Sequence, residues 1–133
     1  MIEHWEVFVS AGVNLVPIVD VPTYAGSTEV CMEASNGELV GASTCSTPRG
    51  EALLSVPGRY GATGDYFGLD VVDLTDVFCG ANECPAVIGN TIVYRDLASH
   101  ITATFSRSLA IPLYEQVAKA ISSQGEVPLV PGN

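Results

Sequence analysis

Four cysteines constrain this chain of 133 residues more than any other feature of its sequence. Cys31, Cys45, Cys79 and Cys84 allow three pairings, and the local one joins Cys31 to Cys45 and Cys79 to Cys84. Turn-forming residues separate Cys79 from Cys84, so the ends of that segment can meet. The sequence therefore favours two disulfides and an oxidising compartment. Four reduced thiols and a metal site are the alternatives, although neither histidine lies near a cysteine in sequence and no Cys-x-x-Cys motif occurs.

The charge balance excludes several classes of partner. Fifteen acidic residues against five basic ones give a net charge of −10, so the chain lacks the basic surface that nucleic acids require. An anionic membrane surface is disfavoured for the same reason. No apolar run approaches the roughly 20 residues that cross a bilayer, and the first residues lack the basic start and apolar run of a signal peptide.

The mean hydropathy of +0.33 is high for a chain in which only 15% of the residues are charged. One interpretation is a compact, well-buried α/β core. The other is a partial domain whose apolar faces are covered by chain that is not present here. Composition alone leaves both interpretations open.

Periodicity predicts alternating helices and strands, which is typical of the α/β class. A helix is expected over residues 2–11, with Trp5 in the core and His4 as an ordinary helix residue. Buried strands are expected over 13–20 and 69–74, and an extended stretch broken by Gly89-Asn90 over 86–94. Residues 21–50 are rich in loop-forming residues, with a short helix from Thr47-Pro48 toward Leu54. A long helix begins at Ile101, is kinked or split at Pro112, and is capped by Ser99 or Thr102.

Asp96 and His100 carry the chemistry that the sequence suggests. They lie between an extended segment and the long helix, where α/β folds place active sites. A carboxylate beside an imidazole fixes its tautomer and stabilises the imidazolium, as a catalytic base requires. A salt bridge in a loop, or a helix cap, is the structural alternative for such a pair.

A long block of motifs follows the second strand. D-L-T occupies residues 73–75, C-P-A-V-I-G-N occupies 84–90, Y-R-D occupies 94–96 and H-I-T-A-T occupies 100–104. This block resembles the C-terminal end of the SGNH domain that is fused to bacterial membrane acyltransferases of the acyltransferase-3 type. The resemblance is strong over residues 73–106 and looser back to the strand that ends at Asp20 and to Cys31 and Cys45.

The resemblance implies a flavodoxin-like, three-layer α/β SGNH hydrolase fold, of which residues 1–124 are the C-terminal portion and residues 125–133 a flexible tail. It implies that His100 is the general base and Asp96 its orienting partner in a Ser-His-Asp triad. The family usually spaces these residues as D-x-x-H, whereas this chain has D-x-x-x-H, so the extra residue could shift the bond between them. The nucleophilic Ser of the family's G-D-S motif is missing, since Gly64-Asp65-Tyr66 has Tyr in its place.

The function implied is O-acyl transfer to, or ester hydrolysis on, a cell-envelope glycan or glycolipid at the extracytoplasmic face of the bacterial membrane. The expected partners are an acyl donor, the acceptor, the missing N-terminal half of the domain and a membrane acyltransferase domain. No metal or organic cofactor is implied, and the chain alone is expected to be inactive. Two alternatives are a secreted, disulfide-stapled binding module without catalysis and a degenerate interaction domain that keeps the fold without the triad.

Overall fold

The fold is taken from a computed structural model, which describes residues 2–36, 38–54, 65, 67–96 and 98–125. The expectations for the end of the tail and for Gly64 and Tyr66 lie outside these residues. The helices and strands, in chain order, are α1 (Ile2–Ser10), α2 (Gly26–Ala34), α3 (Leu39–Ala42), β1 (Ser46–Pro48), α4 (Arg49–Ala52), α5 (Thr75–Phe78), β2 (Glu83–Pro85), β3 (Val87–Ile88), β4 (Thr91–Ile92), α6 (Ala103–Ser108) and α7 (Ala110–Ser123).

Two antiparallel strands, β1 and β2, lie at the centre of a disulfide-linked unit. Thr47 of β1 is paired with Cys84 of β2. One disulfide joins Cys31 of α2 to Cys45, the residue before β1, and the other joins Cys79 to Cys84. The structure therefore contains the local pairing, and both covalent links converge on this strand pair.

The segments expected to be strands, residues 13–20 and 69–74, run parallel but meet only briefly. Ile18 and Val72 form a single parallel bridge. The Val19 amide donates to the Val72 carbonyl at 2.9 Å, and the Val72 amide donates to the Pro17 carbonyl at 2.8 Å. Pro17 has no N–H to donate, which limits the ladder at this point.

Helix α7 takes the place of a further strand beside these segments. The Gln116 side chain accepts from the Asp73 amide and donates to the Asp73 carbonyl, both at 2.9 Å. Gln124 makes the same pair of contacts with the backbone of Leu15, at 3.2 and 2.8 Å. The two glutamines thus satisfy backbone groups that a neighbouring strand would otherwise pair.

The extended stretch over 86–94 is a tight hairpin of β3 and β4. Gly89 and Asn90 connect the strands with φ angles of 52° and 62°. Positive φ at both central residues is the requirement of a type I′ turn, which Gly and Asn tolerate best. The Val93 amide closes the hairpin on the Ala86 carbonyl at 2.9 Å.

The long C-terminal helix is split into α6 and α7 at Leu109. Pro112 lies in the first turn of α7, where its missing N–H costs no helical hydrogen bond. Thr102 caps α6, since its hydroxyl accepts from the Phe105 amide. Of the two expected caps, Thr102 rather than Ser99 therefore starts the helix.

The hydrophobic core lies under the hairpin and α6. Its buried members are Ala52, Phe78, Cys79, Cys84, Val93, Tyr94, Phe105 and Leu109. Helix α1 stays outside this cluster: Phe8 is half exposed, and Trp5 is only partly buried, against Phe67. The expected placement of Trp5 in the core is therefore too strong, whereas His4 is exposed on its helix as expected.

Candidate functional site

The candidate site is the chain reversal between β4 and α6. Tyr94 and Ile101 form an antiparallel bridge, and the Arg95 amide donates to the His100 carbonyl at 2.8 Å. These contacts close the neck of a narrow loop that carries Asp96 and His100. Core packing of Tyr94 on one side and the capped start of α6 on the other fix the two ends of the loop.

The loop brings the Asp96 and His100 side chains into direct contact. Both carboxylate oxygens of Asp96 lie 3.0 Å from Nδ1 of His100. The His100 backbone amide also donates to Oδ1 of Asp96 at 3.3 Å. The spacing of four residues is thus compatible with the contact that a catalytic pair needs.

The electrostatics of the pair favour an ionised carboxylate. The hydrogen bond from the His100 side chain lowers the pKa of Asp96, and weaker contacts with the His100 amide and Arg95 act in the same direction. An ionised carboxylate can only accept, so Nδ1 of His100 carries the proton and the lone pair of the neutral ring is on Nε2. The His100 side chain is 64% exposed, and Nε2 has no hydrogen-bond partner among the residues that the structure describes.

A cleft of about 480 Å³ adjoins Asp96. Tyr24, Met32, Ile92 and Tyr94 form its apolar wall, and Glu29, Glu33, Arg95 and Thr102 add polar groups. This volume falls in the usual range of small-molecule sites, roughly 300–1,000 Å³. His100 does not line this cleft, so the cleft adjoins the Asp96–His100 pair on the side of Asp96.

Tyr24 and Tyr94 pack against each other in the wall of the cleft. Their rings lie 5.0 Å apart between centroids, and the Tyr94 hydroxyl donates to the Pro22 carbonyl at 2.9 Å. Burial raises the pKa of Tyr94 far above its ordinary value, and burial followed by Glu29 and Glu33 raises the pKa of Tyr24. Both phenols are consequently neutral near pH 7, so they contribute packing and hydrogen bonds rather than a base.

The described residues give little support to thiol chemistry, to metal binding or to a membrane-spanning helix. All four cysteines are in disulfides, which leaves no thiol nucleophile. Within the described ranges, no group of three or more His, Cys, Asp or Glu side chains could hold a metal ion. No described helix has the length and apolar character needed to cross a membrane.

Sequence reasoning singled out Asp96 and His100 but not the residues around them. The cleft wall comes partly from α2, which lies inside a region expected to be loop. Tyr24 and Tyr94 are far apart in sequence and show no common spacing. Ser99, considered only as a helix cap, lies instead in the loop between Asp96 and His100. Only the tertiary contacts of Tyr24 with Ser99 and of Pro22 with Tyr94 could have identified these positions.

Comparison of the chain with protein-family models, with curated proteins and with solved structures gives no match. None of the three comparisons therefore supports or excludes the family resemblance of residues 73–106.

Proposed function

We propose that this chain is the C-terminal portion of an SGNH domain, in which Asp96 and His100 are the acid–base part of a Ser-His-Asp triad. The reaction would be O-acyl transfer to, or ester hydrolysis on, a glycan or glycolipid of the cell envelope. The contact of the Asp96 carboxylate with Nδ1 of His100, with Nε2 open to solvent, carries this proposal.

In the proposed reaction, each residue of the Ser-His-Asp triad has a separate role. The serine, contributed by chain upstream of these residues, attacks the acyl carbonyl while Nε2 of His100 takes its proton. The imidazolium then gives that proton to the departing oxygen, which leaves the acyl group on the serine. An acceptor hydroxyl or water next loses its proton to His100 and attacks the acyl-serine. Asp96 stabilises the imidazolium in both steps and remains ionised.

One edge of residues 13–20 has no partner among the described residues, which supports the existence of a missing half. Val13 and Ile18 are half exposed, although they lie in an apolar run. The Val16 and Ile18 amides make no hydrogen bond within the described residues. An apolar, unpaired edge is where a further parallel strand would add. The oxidised cysteines are compatible with the proposed extracytoplasmic location, where an acyl donor would be supplied by a membrane acyltransferase domain.

Reconstitution tests this proposal. The chain is produced together with its upstream coding sequence and assayed on p-nitrophenyl acetate, an activated acyl ester. We expect turnover that is lost in His100→Ala and kept in His4→Ala, which changes the other histidine of the chain. Asp96→Asn should lower the rate by up to about 10⁴-fold, the effect seen when a triad histidine loses its orienting carboxylate.

Two results would reject parts of this assignment. Equal turnover by wild type and His100→Ala would remove His100 from the mechanism. An inactive His100→Ala with an unaffected Asp96→Asn would reduce the triad to a Ser-His dyad. Residues 1–133 alone should be inactive, because the oxyanion donors missing with the upstream half are themselves worth about 100 to 1,000-fold in rate.

A secreted binding module is the second candidate, favoured by the two disulfides and the tyrosine-walled cleft. It predicts a chain that folds as a stable monomer on its own. It also predicts that adding the upstream residues creates no esterase or acyltransferase activity, so the same reconstitution separates the two candidates.

A further inference from the structure

Ser99 has an unusual backbone conformation in the loop of the candidate site. Its φ is 63°, and the other non-glycine residues with positive φ among the described residues are Asn36 and Asn90. Asparagine tolerates this left-handed region, but serine enters it less readily. A serine in this conformation therefore needs support from its surroundings.

Two hydrogen bonds supply that support. The Ser99 amide donates to the Asp96 carbonyl at 3.0 Å, which closes the turn on itself. The Ser99 hydroxyl accepts from the Tyr24 amide at 3.0 Å, a contact between residues 75 positions apart in sequence. The hydroxyl thus ties the loop of Asp96 and His100 to the segment that leads into α2.

The left-handed residue lies directly before His100. A change of φ and ψ at Ser99 would redirect the chain at His100 and move its ring relative to the Asp96 carboxylate. With four residues of spacing, the observed contact at 3.0 Å depends on this tight reversal. The conformation of Ser99 therefore decides whether the extra residue in D-x-x-x-H can be accommodated.

We propose that Ser99 is a positioning residue, whose hydroxyl, held by the Tyr24 amide, sets the turn that brings the Asp96 carboxylate onto Nδ1 of His100. Its catalytic consequence rests on the function proposed above, but the positioning itself does not. Since Tyr24 also lines the cleft, the same bond fixes the loop of the histidine relative to the cleft wall.

The test uses variants that separate the hydroxyl from the backbone conformation. Ser99→Gly adopts positive φ freely but lacks the hydroxyl, whereas Ser99→Asn tolerates positive φ and keeps a side-chain acceptor. Ser99→Ala lacks the hydroxyl and also adopts positive φ less readily than glycine or asparagine. Ser122→Ala is the matched control, because the Ser122 hydroxyl is exposed on α7 and bonds only the Ala118 carbonyl of its own helix.

The measurements are the ¹⁵N shifts of the His100 ring and the titration of the Asp96 carboxyl by NMR, on the 133-residue chain. Wild type and Ser122→Ala should show the proton predominantly on Nδ1 and a lowered pKa for Asp96. Ser99→Gly and Ser99→Ala should move the proton predominantly to Nε2 and return the pKa of Asp96 toward its ordinary value. Ser99→Asn should restore both properties at least in part.

A Ser99→Gly chain that is folded, with both disulfides formed and the wild-type tautomer retained, would overturn the proposal. This variant decides the question even if Ser99→Ala fails to fold, because glycine carries no strain at this position. In the reconstituted domain, Ser99→Gly should lower kcat and change its pH profile. Altered NMR properties together with no enzymatic activity in wild type would uphold the role of Ser99 and reject the proposed function.

Discussion

The core beneath the candidate site and the N-terminal edge of the molecule differ sharply in how they are covered. Phe78 in the core is 1% exposed and packs edge-on against Phe105 at 5.2 Å between centroids. Phe8 on α1 is 50% exposed, and Ile18 on the adjoining segment is 49% exposed. Both regions are rich in apolar residues, so hydrophobicity alone does not account for the contrast.

The difference lies in the partners that each region has within the chain. Two disulfides, a hairpin and a capped helix surround the core, whereas no described residue pairs with the outer edge of residues 13–20. The part of the molecule that holds Asp96 and His100 is therefore stabilised within the chain. The N-terminal edge, by contrast, keeps apolar side chains such as Phe8 and Ile18 half exposed.

The largest effect is expected from truncating matched phenylalanines in the two regions. Phe78→Ala removes a fully buried ring and should destabilise the chain by about 3–5 kcal/mol. Phe8→Ala, on the exposed edge, should cost less than about 1 kcal/mol, because little buried area is lost. Chemical unfolding followed by circular dichroism measures both. Similar costs for the two variants would show that α1 is as well packed as the core.

Removing either disulfide should have the next largest effect on the free energy of unfolding. The Cys31–Cys45 link spans 14 positions and the Cys79–Cys84 link spans 5. Loop-closure entropy predicts losses of about 3 and about 2 kcal/mol for the paired Cys→Ala variants. Unfolding of oxidised protein and both variants gives the values. A larger loss for the Cys79–Cys84 variant would mean that native packing around this link outweighs the entropy of the unfolded chain.

A smaller effect is expected from Tyr94→Phe, which leaves the buried Pro22 carbonyl without its donor. The cost should be about 1–3 kcal/mol, whereas Tyr114→Phe at a 74% exposed position should stay within about 0.5 kcal/mol. Because the pKa of Tyr94 is raised in the fold, wild type should lose stability as pH rises above about 10, the ordinary tyrosine pKa. Tyr94→Phe should lack that part of the alkaline loss, as thermal scans at several pH values would reveal.

The smallest effect concerns the pKa of Asp96, which the His100 side chain lowers. His100→Ala should raise this pKa toward its ordinary value, while His4→Ala leaves it unchanged. A carboxyl with a lowered folded pKa stabilises the fold while ionised, and that stability is lost as pH falls through the folded pKa. The stability difference between wild type and His100→Ala should therefore be present at neutral pH and absent in strong acid. An unchanged titration of the Asp96 carboxyl in His100→Ala would show that the Asp96–His100 contact does not form in solution.

Local sequence patterns predicted the elements that depend mainly on residues close together in the sequence. The helix over 2–11 corresponds to α1, the Gly89-Asn90 break is a hairpin turn, and Pro112 lies in the first turn after the split of the long helix at Leu109. Helix α2 was missed because its sequence starts with Gly-Ser-Thr and has a weak apolar period. It is held by tertiary bonds such as the 2.7 Å contact between the Thr28 and Thr47 hydroxyls.

The candidate site likewise combines residues that the local sequence predicts with contacts that depend on the tertiary structure. Asp96 and His100 were found from their position before a helix and from the surrounding motifs, which are local features. Their contact across four residues depends on the left-handed Ser99 and on the Tyr24 amide, which no local pattern encodes. The parallel segments also fell short of the expected strands, since one bridge and two glutamine side chains replace a continuous ladder.

Labelling with a fluorophosphonate, which reacts with activated serines, tests whether His100 activates a serine outside these 133 residues. The chain is produced with its upstream coding sequence, labelled and mapped by mass spectrometry. We predict one labelled serine, located upstream of residue 1, with labelling lost in His100→Ala and retained in His4→Ala. A label on a serine within these 133 residues, or equal labelling of wild type and His100→Ala, would contradict the assignment of His100 as the base of a split Ser-His-Asp triad.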